Sequence, residues 1–276
     1  MAHIGTDMDL KRHLRRLAPQ LLRDLYNRSD RRPPTWDGVY SSFAEVPRSG
    51  PAFEGRIWLD KIVRSTEEIR SLARDDHTKL EIVSGEYAVL PLLASAVAGP
   101  DGLLSVLDFG GGLGRDYLGL LAAAPSLRLE YNVVEVSPLC ERGRELHHDD
   151  AAIRFHPSPP HLERRPDIIN LHGSLQFVEA WREVLRTLVA YQPRHFLFVH
   201  LPAGDMPTFA SAQRNVEGSF IPCWFFALPD ILEEMRAGGY RLAYRAAMER
   251  SYDMRNFPSG RRLKHPCNLL FTRSSP

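Results

Sequence analysis

The stretch VLDFGGGLGRDYLGLL, residues 106–121, constrains this chain more than any other. It runs from an apolar segment into four glycines, Gly110, Gly111, Gly112 and Gly114, and straight out into a second apolar segment. An apolar run of strand length, then glycines, then a helical pattern places a tight turn between a buried strand and a helix. Glycine lacks a Cβ and tolerates positive φ, so the backbone of such a turn can lie close against a ligand. In α/β folds these turns stand at the carboxyl ends of the strands, where the helix N-terminus adds N–H groups and a positive dipole end.

The following sequence repeats the alternation. LLSVLDF (103–109), LRLEYNVVEV (127–136), AIRFH (152–156), PDIINLH (166–172) and HFLFVHL (195–201) read as strands. GRDYLGLLAAA, SPLCERGRELHHD and LQFVEAWREVLRTLVAY (175–191) read as helices. In the second of these Ser137 is the expected N-cap, Pro138 the first helical residue, and Glu141 lies near the positive dipole end. LPDILEEMRAGGYRLAYRAAMERSY supplies a helix, a glycine stop and a strand, and HPCNLLFTR (265–273) a last strand. SFIPCWFFALP (219–229) reads as an apolar, aromatic loop after the fifth strand. The fold class is α/β, a mostly parallel sheet with helices on both faces.

Before residue 100 the pattern is helical. Leu10, Leu14, Leu17, Leu21 and Leu25 mark an amphipathic helix over 8–26, and further helices are expected over 58–74 and 79–97, with Pro91 as a kink. Residues 27–57 read as irregular. The expected organisation is a helical N-terminal cap over 1–100 and an α/β domain over 101–276.

Thirty-five basic and thirty-four acidic residues, a formal charge of +1, give no reason to expect nucleic acid or a membrane surface as partner. No apolar run approaches the ~20 residues that span a bilayer, and MAHIGTDMDLKRHLRRLAP lacks the apolar core of a signal peptide. Cys140, Cys223 and Cys267 stand far apart, so neither a disulfide framework nor a structural zinc site is expected. The expected compartment is cytoplasmic; homo-oligomerisation stays open. HHDD at 147–150 puts metal-ligating residue types side by side, but helix neighbours point apart, and the reading is a solvated helix end with no metal.

Two ligand classes compete for the glycine turn. The dinucleotide pattern G-x-G-x-x-G fails in both registers, ending on Arg115 or on Tyr117. The pattern D-x-G-x-G-x-G is met throughout by Asp108, Gly110, Gly112 and Gly114, and it resembles the first motif of class I S-adenosylmethionine-dependent methyltransferases. Glu135 ends the second strand, where an ionised carboxylate can accept from both hydroxyls of a ribose. Capping of nearby backbone N–H groups is the plainer reading of both carboxylates.

WDGVYSSF (36–43), VLDFGGGLG (106–114), VVE (133–135) and SLQF (174–177) occur in that order. Together they resemble a family of bacterial proteins assigned as methyltransferases, often encoded near surface-polysaccharide genes, with the pattern W-x-G-x-Y-x-S-F, L-D-F-G-G, V-V-E and S-L-Q-Y. Phe177 stands where that family carries a tyrosine, so any role of that hydroxyl is absent here. The resemblance implies a Rossmann-like, seven-stranded class I methyltransferase sheet with its last strand inserted antiparallel. It implies S-adenosylmethionine as cofactor, held at Asp108, Gly110, Gly111, Gly112, Gly114 and Glu135, and it supplies no acceptor.

Methyl transfer to a hydroxyl needs a proton acceptor near the ends of the central strands. His172 ends the fourth strand and His200 the fifth. Either suits the task, and His172 also borders the cofactor region. Loop hydrogen bonding is the plainer role for each. Gln176, Trp36, Tyr40 and Trp224 are the candidate substrate contacts, with packing as the alternative for each. The expected activity is methyl transfer to an oxygen or nitrogen of a small molecule, sugar-linked or a secondary metabolite. The alternative is a non-catalytic scaffold that binds S-adenosylmethionine.

Overall fold

A computed structural model describes residues 33–50, 53, 55–75, 89–99, 101–214 and 219–274. The helix expected over 8–26 and the first part of that expected over 79–97 lie outside the described residues. Thr35–Pro276 forms one unit, and of the other, Met1–Pro34, only the last two residues are described.

In chain order the elements are β1 (Trp36–Tyr40), α1 (Arg56–Asp75), α2 (Val89–Val97), β2 (Leu103–Phe109), α3 (Arg115–Ala123), β3 (Arg128–Val134), α4 (Ser137–Leu146), β4 (Ile153–His156) and β5 (Ile168–His172). There follow α5 (Trp181–Val189), β6 (His195–Leu201), β7 (Ala203–Gly204), β8 (Phe209–Arg214), β9 (Phe220–Ala227), α6 (Leu228–Ala237), β10 (Tyr240–Ala247) and β11 (Cys267–Arg273).

Seven strands form the main sheet in the order β4-β3-β2-β5-β6-β11-β10. Adjacent pairs from β4 to β6 are parallel, and β11 runs antiparallel to both β6 and β10. This is the Rossmann-like class I methyltransferase arrangement, with the last strand inserted antiparallel as expected. β2 and β6 read as near-continuous apolar runs because helices cover both faces of the sheet. Leu104, Val106, Ile168 and Val199 pack with Leu90, Tyr117 and Leu120 on one face. On the other, Leu107, Ile169, Phe196 and Phe198 pack with Leu185, Leu188, Ile231 and Met235.

A second sheet departs from the sequence reading. β1, β8, β9 and β7 pair in that order, filling the chain between β6 and α6 and recruiting the segment expected to be irregular. β8 is antiparallel to both β1 and β9. Residues 219–229, read as a loop, therefore contain the strand β9. Its run is apolar on both faces because both are buried, so the alternation that marks a half-buried strand is missing. Pro222 fits within the strand because β7 pairs only with Phe226 and Ala227, leaving an edge where a missing N–H is tolerated. The small sheet also has two cores: Phe209, Cys223 and Phe225 on one side, Ala210 and Ala212 with Phe43 and Val46 on the other.

Two helix starts also differ. The helix expected over 175–191 is a 3₁₀ turn, Leu175–Phe177, followed by α5. The Ser174 hydroxyl donates to the Phe109 carbonyl at 2.6 Å and pulls this turn against the end of β2. Ser137 is not the N-cap of α4. Val136 is, with Ser137 and Pro138 opening the helix, because the Glu135 carboxylate takes the Val136 N–H at 2.8 Å.

Candidate active site

The glycine turn joins β2 to α3, and its glycines do different work. A Cβ on Gly111 would sit 2.3 Å from Asp108 Oδ2, so the absence of a side chain lets the turn fold onto that carboxylate. Gly110 and Gly114 pack likewise against Ser174 and Ile153. Gly112 differs. Its φ is +59°, and a Cβ there would meet nothing within 4 Å among the described residues. It is the glycine of the turn that no described residue crowds.

Glu135, just beyond β3, reaches this point. Its Oε1 accepts from the Gly112 N–H at 3.2 Å and its Oε2 from the Val136 N–H. Burial raises its pKa above the ordinary glutamate value, against the lowering effect of those two donors. An acceptor pair thus stands beside the open face of the glycine turn, at the carboxyl edge of β2 and β3.

Asp108 behaves otherwise. It is fully buried, its Oδ2 accepting from the Tyr131 hydroxyl at 2.7 Å and its Oδ1 from Asn170 Nδ2 at 2.9 Å. Burial first, and the nearby Asp116 carboxylate second, lift its pKa to about 7. Its oxygens are directed into a side-chain network rather than toward the space above Gly112.

That network continues to His172. Asn170 Nδ2 also donates to Asp116 Oδ2 at 2.7 Å, and His172 Nδ1 lies 3.0 Å from Asp116 Oδ2 and 3.1 Å from its Oδ1. Burial works to raise the Asp116 carboxyl, but the charge and hydrogen bond of His172 outweigh it and hold the group below the ordinary aspartate range. Four elements converge here. β2 supplies Asp108, β3 Tyr131, β5 Asn170 and His172, and the first turn of α3 Asp116.

The inward set had a sequence signal that the reading passed over. Asn170 interrupts the buried strand IINLH two residues before His172, and a period of two puts both on one face. A polar side chain inside a buried strand demands partners. Those partners, Asp108 and Asp116, come from other elements, and only the fold reveals them.

His200 stands on the neighbouring strand end in an unusual backbone, with φ +58°. Its N–H donates to Asn268 Oδ1 at 3.0 Å, and its ring lies 6.0 Å from that of Tyr252. In register His172 pairs with Val199, and the ladder between β6 and β11 shifts around His200, with Cys267 opposite Leu201 and Leu269 opposite Phe198.

The substrate candidates do not gather at one place. Trp36 packs on Tyr252 and Phe225 with ring centroids 4.3 and 5.6 Å away, and its Nε1–H donates to Gln213. Tyr40 and Trp224 belong to the other core of the small sheet, where Trp224 stacks on Phe43 at 4.8 Å and donates to the Val178 carbonyl. Gln176 is buried in the 3₁₀ turn after β5, and its Oε1, like Asn170 Oδ1, has no partner among the described residues.

The HHDD segment is less solvated than its composition suggests. His147 is buried, with Nε2 at 2.9 Å from the Leu113 carbonyl, and Asp150 accepts from the Tyr117 hydroxyl at 2.5 Å. Asp149 pairs with Arg70 of α1, whose guanidinium also reaches the Leu146 carbonyl. The helix end is a packing joint because its polar groups close the end of α4 against α1 and α3.

No protein-family model and no curated protein matches the chain. Solved structures resemble it in fold. The CcbJ methyltransferase from Streptomyces caelestis is 16% identical, with 67% of this chain and 88% of that one covered and a TM-score of 0.47. The 1,6-didemethyltoxoflavin-N1-methyltransferase of Burkholderia thailandensis, solved with 1,6-didemethyltoxoflavin and S-adenosylhomocysteine, is 18% identical over 84% of this chain and 93% of that one, TM-score 0.46. The magnesium protoporphyrin IX methyltransferase of Synechocystis, with S-adenosylmethionine bound, is 13% identical over 82% and 86%, TM-score 0.46. At such identities the likeness is one of fold. Among the described residues no helix is long and apolar enough to cross a membrane.

Proposed function

We propose that the protein is an S-adenosylmethionine-dependent methyltransferase acting on an oxygen or nitrogen of a small-molecule acceptor, sugar-linked or a secondary metabolite. The observation that carries this reading is the open face of Gly112 with the Glu135 carboxylate on its N–H. A backbone that nothing crowds and a paired acceptor at the adjoining strand end suit a nucleoside carrying a ribose diol. The buried oxygens of Gln176 and Asn170, without a partner among the described residues, fit a ligand that brings N–H donors.

The residues then divide the work. Gly110, Gly111, Gly112 and Gly114 shape the cradle, and Glu135 takes the ribose hydroxyls. Asp108 acts through the turn it supports rather than by touching the cofactor. The cofactor, when bound, supplies an electrophilic methyl group on sulfur. His172 borders the cradle and takes the proton that the acceptor oxygen or nitrogen loses as its bond to carbon forms. Gln176 orients the acceptor. Trp36, Tyr40 and Trp224 build the small sheet beside the strand ends, and His200 is the second candidate base. The chain divides in this reading into an N-terminal cap, 1–100, and a cofactor-binding domain, 101–276.

Calorimetry with S-adenosylhomocysteine, S-adenosylmethionine and NAD tests the cofactor assignment. Binding of both sulfur compounds is expected, and binding of NAD alone overturns it. Given an acceptor, His172→Ala should slow turnover about 10²–10⁴-fold with cofactor affinity kept. Tight cofactor binding without transfer to any of a panel of sugars and aromatic hydroxyl compounds would favour a scaffold.

A further inference from the structure

We infer that Asp116 is the positioning residue for His172, fixing its imidazole with Nδ1 toward the carboxylate. The inference rests on the reading of His172 as proton acceptor and adds a residue to that site.

The orientation of Asp116 carries the argument. A carboxylate in the first turn of a helix ordinarily faces outward, where it meets the free N–H groups and the positive dipole end. Asp116 holds that position in α3, yet its side chain is turned inward and is 9% exposed. Taking a carboxylate out of water is strongly unfavourable unless its oxygens are bonded. Here both are. Oδ2 receives Asn170 Nδ2, and both oxygens lie within 3.1 Å of His172 Nδ1. The helix gives up its outward acid for a contact with β5, 54 and 56 residues away.

Asn170 makes the arrangement rigid. Its Nδ2 spans Asp108 Oδ1 and Asp116 Oδ2, so both hydrogens of the amide are in use. Rotating the amide would set its oxygen against two carboxylates. Asp108 is in turn held by the Tyr131 hydroxyl. Asp116 therefore has one orientation available, and the imidazole facing it is confined to one tautomer when neutral. Among the described residues, the titratable and charged groups around the pair include Asp108 on β2, Tyr131 on β3 and Arg115 on α3.

The test uses the full-length protein labelled with nitrogen-15 and needs no acceptor. Long-range proton–nitrogen spectra of His172, assigned with His172→Gln, are recorded across pH in the native chain and in Asp116→Asn. The expected native result is a neutral imidazole with its proton on Nδ1. In Asp116→Asn that preference is lost and the imidazolium midpoint falls by about 1–3 pH units, because a carboxylate at this distance favours the charged ring. A native tautomer protonated at Nε2 overturns the inference without any variant. So does an Asp116→Asn chain, folded by circular dichroism, whose His172 tautomer and midpoint match the native ones. S-Adenosylhomocysteine calorimetry on the same samples separates the two claims. Lost binding in the native chain sinks the methyltransferase reading, whereas native binding with an unmoved tautomer sinks only the role of Asp116.

Discussion

Glu135 Oε1 and the Gly112 N–H lie 3.2 Å apart, so the acid at the end of β3 is bonded to the glycine of the turn whose missing side chain would meet none of the described residues. A ribose diol placed here would compete for an acceptor already in position. Replacing Glu135 by Gln removes the charge and one acceptor. Affinity for S-adenosylhomocysteine should fall about 10- to 100-fold, the equivalent of about 1.5–3 kcal/mol for a hydrogen bond to a charged group. Calorimetry reads the change directly.

The same carboxylate sets a pH dependence. Its pKa is raised by burial, so the ionised form that accepts two hydroxyls is lost at a higher pH than for an ordinary glutamate. Affinity for S-adenosylhomocysteine should therefore decline as pH is lowered, beginning above the ordinary glutamate range. In Glu135→Gln this decline should disappear. A variant with the native slope would assign the titration to another group.

Gly111 and Gly112 should fail in different ways when replaced by Ala. A Cβ on Gly111 meets Asp108 Oδ2 at 2.3 Å and its Cγ at 2.6 Å, and Asp108 has nowhere to go because Tyr131 and Asn170 hold it. Gly111→Ala should cost about 1–3 kcal/mol of stability through overpacking. Gly112→Ala meets no atom of the described residues and carries only the left-handed backbone strain, about 1–2 kcal/mol, but its methyl enters the space proposed for the cofactor. Thermal unfolding with and without S-adenosylhomocysteine separates them. Gly111→Ala lowers Tm but keeps a ligand-induced rise, and Gly112→Ala loses that rise.

Asp108 gives stability an alkaline slope of its own. Its folded pKa is raised from 3.8 to about 7, so its contribution is fully present below the unfolded value and is lost as pH rises through about 7. Asp116, lowered, acts in the opposite sense: its contribution is present above the unfolded value and lost as pH falls through the folded one. Asp108→Asn should remove the first slope and leave the second. Between about pH 5 and about pH 8 its Tm should rise relative to that of the native chain. A constant difference would mean that Asp108 stays ionised throughout.

Trp224 should behave as a packing residue. Its ring stacks on Phe43 and its Nε1–H bonds the Val178 carbonyl, fastening the small sheet to the segment ahead of α5. Trp224→Ala should lower stability toward the lower end of about 3–5 kcal/mol, since the ring is only partly buried. Affinity for S-adenosylhomocysteine should stay native. Denaturant unfolding and calorimetry together decide between this and a substrate contact.

How far residues predicted structure depended on what each pattern encodes. HFLFVHL matched β6 residue for residue because a strand buried on both faces is written as an uninterrupted apolar run. FIPCWFFA is also buried on both faces, but its proline and aromatics mimic a loop, and its partner β8 pairs in turn with β1, which lies far away in sequence. Pairing at that distance leaves no local trace. At the site, the glycines and Glu135 were legible because a motif holds them within one segment and one strand end. Asp116 was not. Its partners come from β5, and an aspartate in a first helical turn reads as an ordinary dipole contact until the fold turns it inward.

The pairing of β1 with β8 has a consequence for the order of assembly. Trp36 and Gln213, bonded across it, are 177 positions apart in the chain. Closing so long a loop is entropically unfavourable and gains nothing until both ends arrive, whereas β2, β3 and β4 pair with near neighbours in sequence. During synthesis β1 waits without its partner until Arg214 has emerged, so the Rossmann-like half of the main sheet is ready to form first. In the finished protein the hydrogen-bond ladder between β1 and β8 is correspondingly the one to open first. Its amides should exchange with solvent ahead of those of β2 and β5, making the small sheet a late-joining, early-leaving unit beside a more persistent main sheet.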